Sequence, residues 1–508
     1  MTSLVLTGHA LTLDDLRGFD LARPRVTLSD AARAAMQKSV DTVRQVIDTD
    51  QVCYGINTGF GALARERISR DRLTQLQYNL VRSHACGVGE ALAAPVVRRV
   101  LLLKANSLAI GNSGIRPEVV DTLLALLNHD VLPVIPSQGS VGASGDLAPL
   151  AHMTLALIGE GESHHQGKLL KGGEVLKAAG MKPVQLEAKE GLALLNGTQL
   201  SAALAIQGLV GAERALAASI ALGALTLEAL AGSYSPFDAR IHQARNMHGQ
   251  IQVAGKFRSL LTGSDIWNSH QGCDRVQDPY ALRCMPQVYG AVWDTLKHAQ
   301  GVLERELNSV SDNPLIFGKD VLSGGNFHAE ALGFVSDFMA IAVTELGNIA
   351  ERRIDLMLKK VNPRLPMFLA RDPGVESGFM IAHVTAAALA SENKTLAHPA
   401  SADTIPTSAG QEDHVSMAPW AGMKLARVIN NVSHILAIEA LAAAEALDLQ
   451  RPAKTTRELE PLHAAIRKLA PAAQGDRRLD APIKAVAGAI HDGSLVSGSI
   501  PSLAVSTL

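Results

Sequence analysis

The 508-residue sequence predicts a mainly α-helical protein, a bundle of long helices joined to a mixed N-terminal lobe that carries a few short strands. Three observations carry this expectation. Between Phe327 and Leu358, residues Leu332, Val335, Met339, Ala342, Leu346 and Ile349 recur at spacings of three and four, the period of an apolar helix face. Similar patterns run through Gln199–Ala231, Tyr280–Val310, Phe379–Ser391 and Pro419–Leu449, several of them longer than about 25 residues. The chain is 47% hydrophobic but only 4% aromatic, so its interior is filled by Ala, Leu, Val and Ile, which suit close helix packing. Helices of this length bury their apolar faces in a bundle, and faces left over are covered by oligomerisation.

Taken in order, Ser3–Leu6 and Arg25–Leu28 read as brief strands, and Ser29 caps a helix whose Met36, Val40, Val43 and Ile47 share one face. Tyr54–Gly61, YGINTGFG, has three glycines in eight positions and no helical period. Such a segment is either a flexible linker or the cover of a site. Helical patterns follow over Arg72–Ser83, Pro95–Ile110 and Pro117–Asn128, after which Pro133 and Pro136 stop regular structure. His164 and His165 lie in GESHHQGK, read as an exposed polar loop. The uncharged run Gly191–Ala212 is long enough to span a bilayer, but Asn196, Thr198, Gln199, Ser201 and Gln207 interrupt it, so burial in the protein is expected instead. Arg451–Pro471 reads as a charged stretch broken by Pro452 and Pro461, ahead of a short helical, Gly/Ser-rich tail. The organisation expected is an N-terminal lobe over 1–200, the long-helix bundle over 201–450 and a C-terminal helical segment over 451–508, integrated into one body.

A net charge of −2 gives no electrostatic case for nucleic acid or an anionic membrane, and small-molecule chemistry is expected. Cys53, Cys86, Cys273 and Cys284 are scattered without zinc-ligand spacing or a disulfide framework, which points to a reducing cytoplasm and no metal site. The first residues lack a basic segment followed by a sustained apolar run, so no secretory signal is expected. The glycine-rich stretches lack the strand, helix and lysine context of a nucleotide-binding loop.

The stretch that organises the chain is Gly139–Met153, GSVGASGDLAPLAHM, with Ala143-Ser144-Gly145 at its centre. Small residues on both sides of one serine leave a backbone free to turn back on itself. If the Gly145 nitrogen attacks the Ala143 carbonyl carbon, a five-membered ring closes with loss of water, and Ser144 can lose its hydroxyl as a second water. The product is a methylidene-imidazolone, an electrophile of a kind no ordinary side chain supplies, since Ser, Cys, Lys and carboxylates act as nucleophiles. The tripeptide alone equally fits a turn before a helix starting near Asp146.

This string, together with YGINTGFG, SHACGVG, LLNGTQ, QDPYALRC and GGNFHAE, resembles the aromatic amino acid ammonia-lyase family from about Val26 to Leu449. QEDHVSM at Gln411–Met417 narrows the resemblance to members that act on histidine. The resemblance implies a helix bundle of the ammonia-lyase and fumarase-like type. It also implies loss of ammonia from L-histidine to give trans-urocanate, the first step of histidine degradation, on a 4-methylidene-imidazole-5-one (MIO) formed from Ala143, Ser144 and Gly145, without metal or nucleotide. Either the methylidene captures the amine and makes it a better leaving group, or it captures the aromatic ring and acidifies the β-hydrogen; we favour the amine.

By the same resemblance, Tyr54 takes the β-hydrogen, Arg283 pairs with the substrate carboxylate through a bidentate fork, and Tyr280 and Gln277 orient substrate and ring. Tyr280 and Arg283, three apart, share one face if a helix has begun there. Asn196 bonds near the imidazolone, and Phe327 supplies an apolar wall. His84 and Glu412 set substrate choice, because a carboxylate accepts from an imidazole N–H and is left unpaired beside a phenyl ring. His328, His398 and His414 are expected outside the immediate site or in the core. A homotetramer whose sites combine several subunits is implied. The competing expectations are a tyrosine ammonia-lyase, an aminomutase using the same ring, and a catalytically silent helical scaffold.

Overall fold

A computed structural model describes residues 3–270 and 275–503; Cys273 lies outside them. The long helices expected from periodicity are Gln199–Ala229, Met285–Glu306, Glu330–Leu358 and Ala418–Asp448. Strands are short and confined to small sheets. Ser3–Leu6 pairs in parallel with Arg25–Leu28, Val88–Ala91 pairs antiparallel with Pro136–Gln138, and Leu315–Phe317 forms a hairpin with Asp320–Leu322. The mainly helical class with a few short strands is therefore the one observed.

The residues divide into two compact units. The first comprises 1–207, 300–336 and 399–423, and the second 208–299, 337–398 and 424–508. Within the first unit, the Ser29 hydroxyl accepts the Ala32 N–H and opens helix Asp30–Asp48, whose Val43 and Val46 are buried with Cys53, Ile56, Leu73 and Ile316. Pro117 occupies the first turn of Pro117–Asn128, where a missing N–H costs nothing. Helix Ala94–Ala109 is buried almost throughout.

Within the second unit, Gly208 and Gly211 allow the helix carrying Leu425 and Ile429 to approach closely. A Cβ on Gly208 would lie 2.2 Å from Leu425 Cδ2, and one on Gly211 would lie 3.0 Å from Ile429 Cγ2. The same unit holds a fully buried ion pair, Arg353 Nε to Glu439 Oε1 at 2.5 Å and Nη2 to Oε2 at 2.8 Å. Thr226 Oγ1 donates to the same carboxylate at 2.8 Å. Two helices, Gln199–Ala229 and Glu330–Leu358, are long and apolar enough to cross a membrane, and 94% and 67% of their most apolar windows are buried inside the protein.

Three sequence expectations change. GESHHQGK is a hairpin, Glu162–His165 against Lys168–Lys171, and not a loop. Its two-residue turn, Gln166-Gly167, takes positive φ at both positions (49° and 75°), which matches the twist of the flanking strands. Within the run 191–212, Glu190–Leu195 ends at Asn196 and a new helix begins at Gln199, the start expected. The pattern over 280–310 splits into Tyr280–Arg283 and Met285–Glu306, with Pro286 at the start of the second piece. Pro461 does not break structure; it sits in the first turn of Glu460–Leu469.

The Arg353–Glu439 pair yields a test of stability. Glu439→Leu leaves a guanidinium buried without its counter-charge and is expected to cost about 3–5 kcal/mol, read as a lower denaturant midpoint. Arg353→Met combined with Glu439→Leu recovers most of that loss; a double variant no more stable than the single would contradict this account.

Candidate active site

The glycine loop is anchored at its root. Cys53 and Ile56 are buried on either side of Tyr54, and the loop is tied by Cys53 N–H to Asn57 Oδ1 at 2.9 Å, Ile68 N–H to Asn57 O at 2.9 Å and Gly59 N–H to Glu66 O at 2.8 Å. Of the two readings left open for YGINTGFG, the flexible linker does not fit: the segment is tied down and lines a cavity. Tyr54, Gly59, Phe60 and Gly61 line a cavity of about 670 Å³, and the Tyr54 hydroxyl accepts the Gly61 N–H at 3.3 Å. That volume is in the range of small-molecule sites.

Ser144, Asn196, His84 and Glu412 line the same cavity, all within the first unit. Ala143 and Gly145 flank Ser144 and are buried. Gly145 has φ +73° and pairs in parallel with Gly197, whose carbonyl accepts the Asp146 N–H at 2.8 Å. A Cβ on Gly145 would lie 2.3 Å from the Gly197 oxygen, so only glycine fits there. Helix Leu147–Leu157 follows at once, close to the start expected.

The polar groups around Ser144 converge. Its hydroxyl donates to Glu412 Oε1, and Thr407 Oγ1 donates to Glu412 Oε2 at 2.6 Å. Asn196 Nδ2 donates to the Ser144 carbonyl at 3.3 Å, while the buried Asn196 Oδ1 has no partner among the described residues. Asp146 is fully buried, and burial pushes its carboxyl up to about 6 against the pull of donors from Ser201 (N–H at 2.8 Å, Oγ at 2.9 Å) and Ser140 (Oγ at 3.1 Å). His84 Nδ1 lies 3.1 Å from Ser83 Oγ. Burial holds the His84 ring below the ordinary histidine range, opposed by a backbone hydrogen bond from Leu80 and the charge of Glu412.

Four expected site residues do not line this cavity. Phe327 is half-buried elsewhere in the first unit, and Gln277, Tyr280 and Arg283 belong to the second. Tyr280 is 70% exposed. Arg283 does share a helical face with Tyr280, its guanidinium 4.5 Å from the ring centre, and its Nε donates to Asp278 O at 3.0 Å.

Sequence reasoning missed two residues of the first unit. Thr407 fixes Glu412 through a tight turn, Thr407 N–H to Glu412 O at 2.9 Å, and nothing in its type or spacing announces this. Lys104 is buried behind Asn196 and had a visible signal, a lone charge in the apolar stretch LLLKANSLAI. His328 and His414 stack loosely, rings 5.4 Å apart, beside Glu330. His328 Nδ1 lies 3.8 Å from Glu330 and its Nε2 3.4 Å from His414 Nδ1, and one potential ligand atom from each of the three lies within 4.8 Å of the others.

Known proteins resemble this chain along most of its length. It is 53% identical over 494 residues to a histidine ammonia-lyase of Rhodospirillum rubrum, covering 96% of each chain. The crystal structure of a histidine ammonia-lyase from Trypanosoma cruzi superposes with a TM-score of 0.90 at 41% identity, over 99% of this chain and 97% of that one. A tyrosine aminomutase from Streptomyces globisporus superposes with a TM-score of 0.92 at 36% identity, over 98% and 99%. The family pattern described as aromatic amino acid lyase matches residues 11–468, and with these relatives it establishes that the chain belongs to the aromatic amino acid lyase family.

Proposed function

We propose that this carbon–nitrogen lyase releases ammonia from L-histidine to give trans-urocanate, using an electrophile made from Ala143-Ser144-Gly145. The observation that carries the reading is one cavity lined by Ser144, Tyr54, Asn196, His84 and Glu412. A carboxylate held by Thr407 at its wall is the acceptor that an imidazole N–H requires.

The residues present fit the MIO group. Gly145 is already turned, with φ +73°, and only a glycine can lie against Gly197. Asn196 donates to the Ser144 carbonyl oxygen and leaves its own amide oxygen free for an N–H of the incoming amine. Ring closure joins the Gly145 nitrogen to the Ala143 carbonyl carbon; that carbonyl oxygen leaves as water, and the Ser144 hydroxyl leaves with its Cα hydrogen as a second water. No oxidant is needed. Once formed, the group supplies an electron sink for the substrate.

The other residues bind and move protons. Tyr54 takes the β-hydrogen at its phenol oxygen, and the anchored loop holds that oxygen at the cavity wall. Glu412 accepts the imidazole N–H, and His84, whose charged form burial disfavours, closes the same side. Arg283 pairs with the substrate carboxylate, Tyr280 and Gln277 orient the substrate, and Phe327 gives an apolar wall. These four reach the cavity from neighbouring subunits of a homotetramer. Support for assembly comes from the second unit, where Val288, Ala291, Val292, Phe338, Ile341 and Ala342 line an apolar groove of about 840 Å³.

Three results are expected. Purified protein raises ultraviolet absorbance with L-histidine as urocanate forms, whereas Ser144→Ala folds, has no hydroxyl to lose, shows by intact mass no loss of two waters and loses at least about 1,000-fold in kcat. Turnover of L-tyrosine to coumarate or to a β-amino acid in place of histidine would select the tyrosine lyase or aminomutase reading. Glu412→Leu lowers kcat/KM for L-histidine by on the order of 100-fold while discrimination against L-phenylalanine shrinks; unaltered discrimination would remove Glu412 from recognition. Light scattering reports four chains per particle, and a fully active monomer would overturn the shared site.

A further inference from the structure

Lys104 lies in the middle of helix Ala94–Ala109, among Leu101, Leu102, Leu103, Ala105 and Leu108, and is 1% exposed. Its ammonium donates to the Asn196 carbonyl oxygen at 2.6 Å and approaches Gln199 Oε1 at 3.5 Å. No carboxylate among the described residues forms an ion pair with it. The nearest charges felt are those of Asp312, Lys189 and Asp146, and Asp312 is already engaged by Lys189 at 2.7 Å. Burial pushes the Lys104 ammonium down to about 7. A lone cation in an apolar helix is costly to keep, and methionine or leucine would fill the same space without that cost.

What the charge touches gives it a use. Asn196 and Gly197 interrupt the polypeptide between two helices, Glu190–Leu195 and Gln199–Ala229, so the turn has no helical hydrogen bonds of its own to hold the Asn196 carbonyl. Lys104 supplies that hold. On its other side the turn meets the Ala-Ser-Gly segment at three points: Asn196 Nδ2 on the Ser144 carbonyl, Gly197 paired with Gly145, and Gly197 O on the Asp146 N–H. A shift of the Asn196 carbonyl therefore moves all three of these contacts with the turn to be cyclised. In its protonated form Lys104 also places a positive charge one residue behind the amide that faces the Ser144 oxygen, where electron density would collect during addition to the sink.

We infer that Lys104 is a positioning residue for the electron sink: its buried ammonium clamps the Asn196 carbonyl, holding the Asn196 amide and Gly197 against Ser144 and Gly145 both for ring closure and for turnover. This rests on the lyase reading above and deepens it. Lys104 touches neither substrate nor reacting atoms.

Three variants test the clamp: Lys104→Met, Lys104→Gln and Lys104→Arg, each assessed by circular dichroism, intact mass and steady-state kinetics. Lys104→Met is expected to fold yet to retain one or both waters in a large fraction of chains. Its cyclised fraction loses about 100-fold in kcat with KM little changed, the scale of a displacement near 1 Å. Lys104→Arg restores the cyclised mass, and Lys104→Gln, a donor without charge, cyclises but keeps the lowered kcat. Full cyclisation with wild-type kcat in Lys104→Met or Lys104→Gln would overturn the proposal. So would failure of all three variants to fold, which would make the residue purely structural. A wild-type chain that shows no loss of water and forms no urocanate would instead refute the lyase reading itself.

Discussion

Two stretches of backbone meet at Gly145 and Gly197 with no room for a side chain on the first, and the rest of the first unit is arranged to keep them there. A Cβ at Gly145 would stand 2.3 Å from the Gly197 oxygen, well inside any tolerated contact. Both glycines take positive φ, 73° and 137°, which a residue with a Cβ rarely adopts. Each is followed immediately by a helix, Leu147–Leu157 after the first and Gln199–Ala229 after the second, so the two turns are mounted on rigid elements and not on mobile loops.

The polar groups that hold this contact are buried, which makes them both strong and demanding. Asp146 accepts from Ser201 and Ser140, and Lys104 donates to Asn196. Thr198 bonds Glu306, itself raised by burial, and Lys189 pairs with Asp312. In a low-dielectric interior each such group must be satisfied or it costs several kcal/mol, so the network admits few alternative geometries. Asn196 Oδ1 is the exception at the cavity, a buried acceptor with no partner among the described residues. An unpaired acceptor beside the Ala143-Ser144-Gly145 turn suits a site that receives an amine.

Much of this was readable in the chain. Helix faces were visible because an apolar residue every three or four positions has only one way to be buried, and Ser29 and Pro117 mark helix starts by the hydrogen bonds they make or lack. The site segments were readable through their resemblance to a family, with glycines where the backbone must turn. The hairpin at Glu162–His165 was not, because its residues are polar and its register depends on a Gln-Gly turn that also occurs in irregular loops. The break at Asn196 was readable, because polar residues interrupt the apolar run there and a helical pattern resumes at Gln199.

The sequence by itself determined the fold class and the order of helices, because periodicity is a local property, while the roles expected of Ala143-Ser144-Gly145, His84 and Glu412 came from resemblance to a family. Only the tertiary structure decided that Tyr54, His84, Ser144, Asn196 and Glu412 share one cavity while Gln277, Tyr280, Arg283 and Phe327 stand outside it. It also brought Thr407 onto Glu412 and Lys104 onto the Asn196 carbonyl. These are contacts between residues up to hundreds of positions apart. They follow from how buried helices pack and where buried charges find partners, and no window of sequence contains that information.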